Sequence, residues 1–181
     1  FEVKDSQYQT LYSLVPASVV FNTIHKAENV FIINKGKNQG ITKNMGVLSP
    51  QGVAGVVVKV GNNYSTVMSL LNTNMKLIPN INNTEYYNEL KYNESAIEQL
   101  TIEGINKLEE LKEGDTVRTG KTSMLFPADI PVGEITRLKT KPSSQYYSIE
   151  VKPITNFRSL KHVYVVVNKA KEELDELLSD E

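Results

Sequence analysis

The sequence contains no cysteine, and this absence removes three kinds of chemistry at once. A chain of 181 residues without a thiol forms no disulfide, gives a metal no thiolate ligand and has no cysteine nucleophile. Histidine is scarce as well, with two residues, His25 and His162. A triad of serine, histidine and carboxylate, or a zinc centre built from histidines, therefore has very few places to form.

An excess of charge of one sign and a long apolar run are also missing. Lys plus Arg number 20 and Asp plus Glu 21, so the formal net charge is −1. Such a chain has no cationic surplus to neutralise a series of phosphates, which disfavours nucleic-acid binding. No window approaches the roughly 18 consecutive apolar residues of a membrane-spanning helix. Because the chain begins at Phe1, without a methionine or signal peptide, we expect an excised soluble portion of a longer protein.

Short β-branched and apolar runs separated by turn formers dominate what is present. Glycine, asparagine and proline lie between the runs because they tolerate or fix the backbone angles of tight turns. This pattern predicts an all-β protein, most economically two small barrels over residues 17–84 and 85–168, with C-terminal strands that could return to the first barrel. The predicted strands are Val19–Phe21, Val30–Ile33, Val53–Val60, Thr66–Leu71, Leu77–Ile81, Glu89–Tyr92, Glu98–Ile102, Thr116–Arg118, Val132–Lys139, Tyr146–Pro153 and Val163–Asn168.

Helix is considered for three segments. Residues 1–16 place apolar residues along one side of a helix that Pro16 would end, since a proline pushes the preceding residue out of the α region. Residues 169–181 form an amphipathic tail, with leucines between acidic residues. The stretch 85–111 fits either a helical stripe broken by Gly104 or two short strands joined by a turn, and we prefer the strands.

A search for catalytic groups finds no convincing site. Ser65 and Ser69 lie on or beside an apolar strand rather than in a G-x-S-x-G turn, and neither histidine has a metal-ligand partner at a recognised spacing. The Gly120-Lys121-Thr122 tripeptide resembles the end of a phosphate-binding loop, but Asp115 stands where the first glycine should be. We keep two alternatives open, a hydrolase on small barrels and a carbohydrate- or oligonucleotide-binding barrel with an aromatic groove.

Adjacent tyrosines are the best candidates for a contact with a partner. On a strand, the pairs Tyr86-Tyr87 and Tyr146-Tyr147 would each direct one ring to the core and one outward. An outward tyrosine is rigid and amphipathic, which suits an interface, although it also serves as an ordinary cross-strand neighbour. We select Tyr146, Tyr147 and Tyr164 as candidate partner-binding residues.

The most informative motif runs from Gly114 to Gly133. It contains no nucleophile beside a base and no metal-ligand cluster, so its glycines and prolines are predicted to shape turns at strand ends. The motif resembles the GD-x-V-x-T-S-G…F-P-x-G-I-P-V-G signature of the rod-shape-determining MreC family. Its predicted structural residues are Gly114, Asp115, Phe126, Pro127, Pro131 and Gly133.

The resemblance extends over nearly the whole chain, in order and with matching spacing. It departs from the family at Thr119-Gly120-Lys121, where T-S-G is usual, and at Asp129, where glycine is common. The matching segments are Ile33-Asn34-Lys35-Gly36, Gly40-Ile41, the run from Gly46 to Val57, the run from Tyr64 to Leu71, Val151-Lys152-Pro153 and the run from Leu160 to Val166.

The resemblance implies a fold of two six-stranded β-barrels with trypsin-like topology but without catalytic residues, cofactor or metal. It further implies a non-enzymatic scaffold of cell elongation on the extracytoplasmic face of the cytoplasmic membrane. A dimerising coiled coil and one membrane helix would precede Phe1. The implied partners are a class B penicillin-binding protein, MreD, the MreB system and other copies of the chain.

Overall fold

The structure is a computed structural model that describes residues 11–179. It confirms the all-β fold: this part of the chain forms fourteen strands in two sheets, two short 3-10 helices at Lys37–Gln39 and Phe157–Ser159, and the C-terminal α-helix α1. Their bounds are β1 Tyr12–Asn22, β2 Glu28–Ile33, β3 Gly46–Leu48, β4 Val53–Val60, β5 Ser65–Asn72, β6 Lys76–Leu77, β7 Pro79–Ile81, β8 Thr84–Glu85, β9 Leu90–Tyr92, β10 Leu100–Asn106, β11 Thr116–Thr119, β12 Pro131–Lys139, β13 Tyr146–Pro153, β14 His162–Asn168 and α1 Lys171–Ser179.

Six strands close into the first barrel, in the order β1-β14-β3-β4-β5-β2. Neighbouring strands are antiparallel, and alternate residues enter the interior, as period-two side-chain direction requires. In β2, for example, Phe31 and Ile33 are fully buried, whereas Ile32 between them is only partly buried. The C-terminal strand β14 lies between β1 and β3, so the barrel is completed by residues from both ends of the chain.

The second unit is an eight-stranded sheet in the order β6-β9-β10-β13-β12-β11-β7-β8. It has more strands than the predicted six because two-residue strands, β6 and β8, extend its ends. The two sheets divide between Asn72 and Lys76, so the predicted boundary at residues 84 and 85 is wrong. The polar segment there is a two-residue hairpin between β7 and β8, in which Asn82 and Asn83 have φ of +51° and +65°.

The predicted helix over residues 1–16 is wrong for residues 12–16, and residues 1–10 lie outside the described part. Residues 12–18 form a continuous antiparallel ladder with β14, in which Pro16 is opposite Tyr164. Proline does prevent helix at the preceding residue, as expected, but the extended backbone it favours is used here for a strand. The amphipathic tail does contain a helix, α1, whose leucines 174, 177 and 178 are 38%, 66% and 62% exposed.

The preference for strands between residues 85 and 111 is confirmed by β9 and β10. Their pairing ends at Ile102, and Gly104, with φ of +77°, marks an irregularity where β10 passes along β13. Such a bulge needs a residue that tolerates positive φ. No helix of the described residues is both long enough and apolar enough to cross a membrane.

Two glycines of the barrel lie at its contact with the second sheet. Phe126, which is fully buried, lies against Gly46 of β3, where a Cβ atom would come within 2.6 Å of its ring. At Gly52 a Cβ would collide with the Pro131 carbonyl oxygen of the second sheet. Gly46 belongs to β3, and the absence of a side chain makes room for the aromatic ring of Phe126.

Buried hydroxyl groups connect the two units beside these glycines. The Ser49 and Thr155 hydroxyl oxygens are 2.7 Å apart, and Thr155 also donates to the carbonyl oxygen of Val53 at 2.8 Å. Both residues are almost fully buried. Because a buried polar group is costly unless it is hydrogen-bonded, this network specifies one orientation of sheet against barrel.

We expect Phe126→Ala to lower the free energy of unfolding by about 3–5 kcal/mol, the range for removing a fully buried aromatic ring. The matched control is Phe21→Ala, since Phe21 is 51% exposed and its loss should cost about 1 kcal/mol or less. Urea unfolding of both variants checks the difference. Equal destabilisation by the two substitutions would contradict the role given to Phe126.

Candidate partner-binding site

A groove of about 450 Å³ lies where the β12–β13 hairpin passes the irregular part of β10. Tyr146 is 53% exposed at its rim, while Tyr147 is partly buried and packs on the core. Tyr146 therefore faces the solvent and Tyr147 faces the core, as adjacent residues on a strand do. The groove is lined by Glu103, Gly104, Lys139, Thr140, Lys141, Ser144, Tyr146, Tyr147 and Ser148.

Hydrogen bonds hold the hairpin that presents Tyr146. Its backbone N–H donates to the Ser144 hydroxyl oxygen at 3.1 Å, and its carbonyl oxygen accepts from the Thr140 hydroxyl, also at 3.1 Å. On the other wall, the Ser148 hydroxyl donates to Glu103 at 2.7 Å. An exposed ring on a fixed backbone loses little conformational freedom when it is buried by a partner, which is the property of an interface anchor.

The third candidate, Tyr164, is not part of this groove. It lies on β14 of the barrel and lines a separate cleft of about 240 Å³ between β1, β2 and β14. The structure therefore brings Tyr146 and Tyr147 together and leaves Tyr164 on the other unit. A single surface formed by all three tyrosines is not found.

The groups considered for hydrolysis do not assemble. His162 is opposite Ser18 in the β1–β14 ladder, but the two form no hydrogen bond, and the cleft they line contains no acidic residue. His25 is exposed in a turn. Ser65 donates to the Lys35 carbonyl oxygen at 2.8 Å, and Ser69 is fully buried. Residues 11–179 contain no group of three His, Cys, Asp or Glu that could hold a metal ion.

The second tyrosine pair lies just after β8 and divides sharply between core and solvent. Tyr86 is 9% exposed and Tyr87 is 91% exposed. The Tyr86 hydroxyl donates to the Glu109 carboxylate at 3.0 Å. Burial, followed by the hydrogen bond and the negative charge of Glu109, raises the pKa of Tyr86 to about 12 because each disfavours the phenolate.

The first turn of the Gly114–Gly133 motif is built around Asp115. Gly114 has φ of +92°, a value that side chains disfavour. The Asp115 carboxylate accepts hydrogen bonds from the backbone N–H of Lys112 at 3.0 Å and from the Asn82 side chain at 3.1 Å. Gly133 pairs with Val117 across the β11–β12 ladder.

Thr119 organises the loop that carries Phe126, and the sequence analysis gave it no role. Its hydroxyl donates to the Pro127 carbonyl oxygen at 2.7 Å and accepts from the Ile130 N–H at 2.9 Å. Its carbonyl oxygen also accepts from the N–H of Asp129, which occupies a left-handed position with φ of +63°. A threonine before a long loop is common, so nothing in the sequence singled it out.

Glu85 closes the same loop from the edge strand β8. Its carboxylate accepts hydrogen bonds from the backbone N–H groups of Lys121 and Thr122, and from the Thr122 hydroxyl at 3.2 Å. A Cβ on Gly120 would collide with this carboxylate, which explains glycine at that position. The tripeptide that resembles a phosphate-binding loop thus binds an anion, but the anion is a side chain of the same protein.

We expect Thr119→Val to lower the free energy of unfolding by about 2 kcal/mol or more, because it keeps the shape but leaves two buried backbone groups unpaired. Thr42→Val is the control, since Thr42 is exposed and its replacement should change stability by about 0.5 kcal/mol at most. Chemical denaturation compares the two. A Thr119→Val protein as stable as the control would show that the loop is held by other contacts.

The raised pKa of Tyr86 predicts a loss of stability in strong alkali. Its folded pKa of about 12 exceeds the ordinary value of 10.0, so the folded protein binds this proton more tightly than the unfolded chain. The resulting stabilisation is complete below pH 10 and disappears as the pH rises towards 12. Absorbance titration at alkaline pH should show a late phenolate transition of Tyr86 that is missing from Tyr86→Phe, whereas Tyr92, whose pKa burial also raises, still titrates late in that variant. A wild-type titration without it would refute the assignment.

Comparison with known proteins agrees with this architecture. The family model described as "Rod shape-determining protein MreC, barrel core" matches residues 19–167. The cell shape-determining protein MreC of Streptococcus pneumoniae is 29% identical over 141 residues, which is 75% of this chain and 50% of that protein. The chain spans about half the length of such relatives.

Solved structures share the fold. A crystal structure of MreC from Pseudomonas aeruginosa has a TM-score of 0.78 at 19% identity, and the match covers 86% of this chain and 99% of the chain in that structure. A second neighbour is from a complex between penicillin-binding protein PBP2 and MreC of Helicobacter pylori, with a TM-score of 0.68, 18% identity and coverage of 87% and 99%. Because the family model matches residues 19–167, which are most of this chain, the chain belongs to the family of rod shape-determining MreC proteins.

Proposed function

We propose that this chain is the barrel portion of a non-enzymatic scaffold for cell-wall elongation, and that it binds the class B penicillin-binding protein of that machinery. The observation that carries the proposal is the likeness to an MreC that was solved in complex with PBP2. Family membership and the names of its relatives, cell shape-determining proteins, support the same role. The arrangement of His162 and Ser18, without an acid in their cleft, supports a scaffold over a hydrolase.

A scaffold regulates an enzyme only if it distinguishes between the enzyme's conformations. We propose that the chain binds the active form of the transpeptidase more tightly than the inactive form. Equal affinity for the two forms would shift neither population, whatever its strength. In the whole protein, this activity would take place on the extracytoplasmic face of the cytoplasmic membrane. An upstream membrane helix, contacts with MreD and the MreB system, and self-association would tether the complex.

We assign the contact to the groove around Tyr146 and Tyr147. An exposed tyrosine on a fixed hairpin supplies apolar area together with a hydroxyl group, the combination found in interface hot spots. The groove is also flanked by Lys141 and by Lys139, which forms an ion pair with Glu150, and these charged groups would give the contact a polar rim. The Tyr164 cleft on the barrel is a second place at which a partner, or another copy of the chain, could contact the molecule.

Calorimetric titration with the extracytoplasmic domain of the elongation transpeptidase tests the proposal directly. Saturable binding is expected with this enzyme, whereas the division transpeptidase of the same organism, as the control, should not bind. If neither enzyme binds, the proposed scaffold function is contradicted for this part of the chain. Equal binding of both would contradict a role specific to elongation.

Substitution of the tyrosines tests the assigned surface. We expect Tyr146→Ala to weaken transpeptidase binding at least about tenfold, since a hot-spot truncation costs about 2 kcal/mol or more. Tyr87→Ala is the matched control because Tyr87 is 91% exposed and lies outside the groove. Comparable affinities for Tyr146→Ala and the control would move the interface away from this groove while leaving the scaffold function in place.

A further inference from the structure

A polar cavity lies beside β7 and β11, away from the groove of Tyr146. Its volume is about 330 Å³, which is room for a small ligand and not only for a single water. It is lined by Asn80, Asn82, Asn83, Gly114, Asp115, Thr116 and Arg118. The turn motif and the proposed contact with the transpeptidase do not explain why these polar side chains line one cavity.

Asn80 is the first sign that the cavity serves a ligand. The residue is only 5% exposed, and no hydrogen bond joins its carboxamide to any other group in residues 11–179, because the carboxamide is open to the cavity. Asn80 lies directly between Glu85 and Arg118 in the strand ladders, and its neighbour on each side is bonded to the loop after β11. Its amide and carbonyl groups therefore remain available to a molecule in the cavity.

Opposite charges are the second sign. Asp115 is 9% exposed, and only its Oδ2 atom is occupied by hydrogen bonds from within residues 11–179. Arg118 uses one nitrogen, Nη1, to donate to the Asp129 carbonyl oxygen at 3.1 Å, which leaves its other donors available. Although both line one cavity, Asp115 and Arg118 form no ion pair with each other in the described structure.

The combination selects the chemistry of the ligand. A carboxylate would accept hydrogen bonds from Arg118, and an ammonium or amide N–H would donate to Asp115. A multiply charged anion such as phosphate would be repelled by Asp115, and a metal cation by Arg118. No aromatic ring lines the cavity, so the stacking by which sugars and bases are usually held is not provided.

We propose that this cavity binds a carboxylate with a neighbouring N–H donor, as in a free amino acid or the carboxyl-terminal residue of a peptide. Arg118 holds the carboxylate, Asp115 accepts from the N–H, and Asn80 supplies a further donor or acceptor. This inference is independent of the proposed scaffold function, because its residues lie on β7, β11 and the adjoining turns rather than on β10 and β13.

Nuclear magnetic resonance of the labelled protein tests the site with three small probes. Alanine carries both groups, N-acetylalanine keeps the carboxylate and an amide N–H, and alaninamide has no carboxylate. We expect alanine, N-acetylalanine or both to shift the side-chain amide signals of Asn80 saturably at millimolar concentration, and alaninamide to have no effect. Binding of alanine alone identifies a free amino acid as the ligand, and binding of N-acetylalanine identifies a peptide terminus.

Arg118→Gln should weaken the binding of the active probe by about tenfold or more, because a charge-assisted hydrogen bond is lost. The control is Arg137→Gln, since Arg137 is exposed on β12 and does not line the cavity. The proposal is overturned if no probe shifts the Asn80 signals of the wild-type protein, if alaninamide acts as well as alanine, or if Arg118→Gln binds like the control. Because the first two results need only the wild-type protein, a folding defect in the variant cannot hide the answer.

Discussion

The contact between Phe126 and Gly46 is the constraint on which the relation of the two sheets depends. A buried aromatic ring from the long loop after β11 occupies the space that a side chain on β3 would fill. Protein interiors are packed too densely to accept both groups, so a ring on one element requires glycine on the other. The Ser49–Thr155 hydrogen bond beside it adds direction to the packing. Together they turn two β-sheets into one body that can present distant surfaces at fixed positions.

Several hydrogen bonds hold the loop after β11, which carries Phe126 to this contact. Thr119 binds its far end, and the Glu85 carboxylate binds its near end. Between these attachments the loop is long enough to reach the barrel, where the Met124 carbonyl oxygen accepts from Asn168 of β14 at 3.3 Å. A loop without such attachments would lose conformational entropy in placing Phe126, and the contact with Gly46 would be weakened. The motif that resembles the MreC signature therefore carries a contact between the sheet and the barrel.

The surfaces that carry the two proposals lie on the same sheet but differ in chemistry. The groove at Tyr146 presents an exposed aromatic ring with a polar rim, which suits a protein partner. The cavity at Arg118 is smaller and lacks aromatic residues, and it combines an accessible amide with groups of opposite charge, which suits a small ligand. The groove lies beside the Gly104 bulge, and the cavity lies beside the turn at Asn82 and Asn83.

The sequence by itself determined the all-β class and most strand positions, because alternation of apolar residues is a local property. The strand Tyr146–Pro153, for example, was predicted with the bounds that the structure has. The MreC resemblance was determined as well, since it depends on the order of short motifs. The local pattern of apolar residues could not show that β14 pairs with β1, because strand pairing depends on residues far apart in the chain. For the same reason it could not show that the two sheets divide near Asn72 rather than near Asn82.

The candidate site was predictable only in part, for the same reason. Adjacent tyrosines could be recognised in the sequence, but whether Tyr146 and Tyr164 share a surface depends on which sheet each strand joins. Thr119 and Glu85 carried no signal because their roles arise from hydrogen bonds to a loop that only the folded chain brings to them. The sequence thus determined which residues are able to form strands, turns and contacts. Tertiary structure decided which of them meet, since close packing and hydrogen bonding act between residues that are distant in sequence.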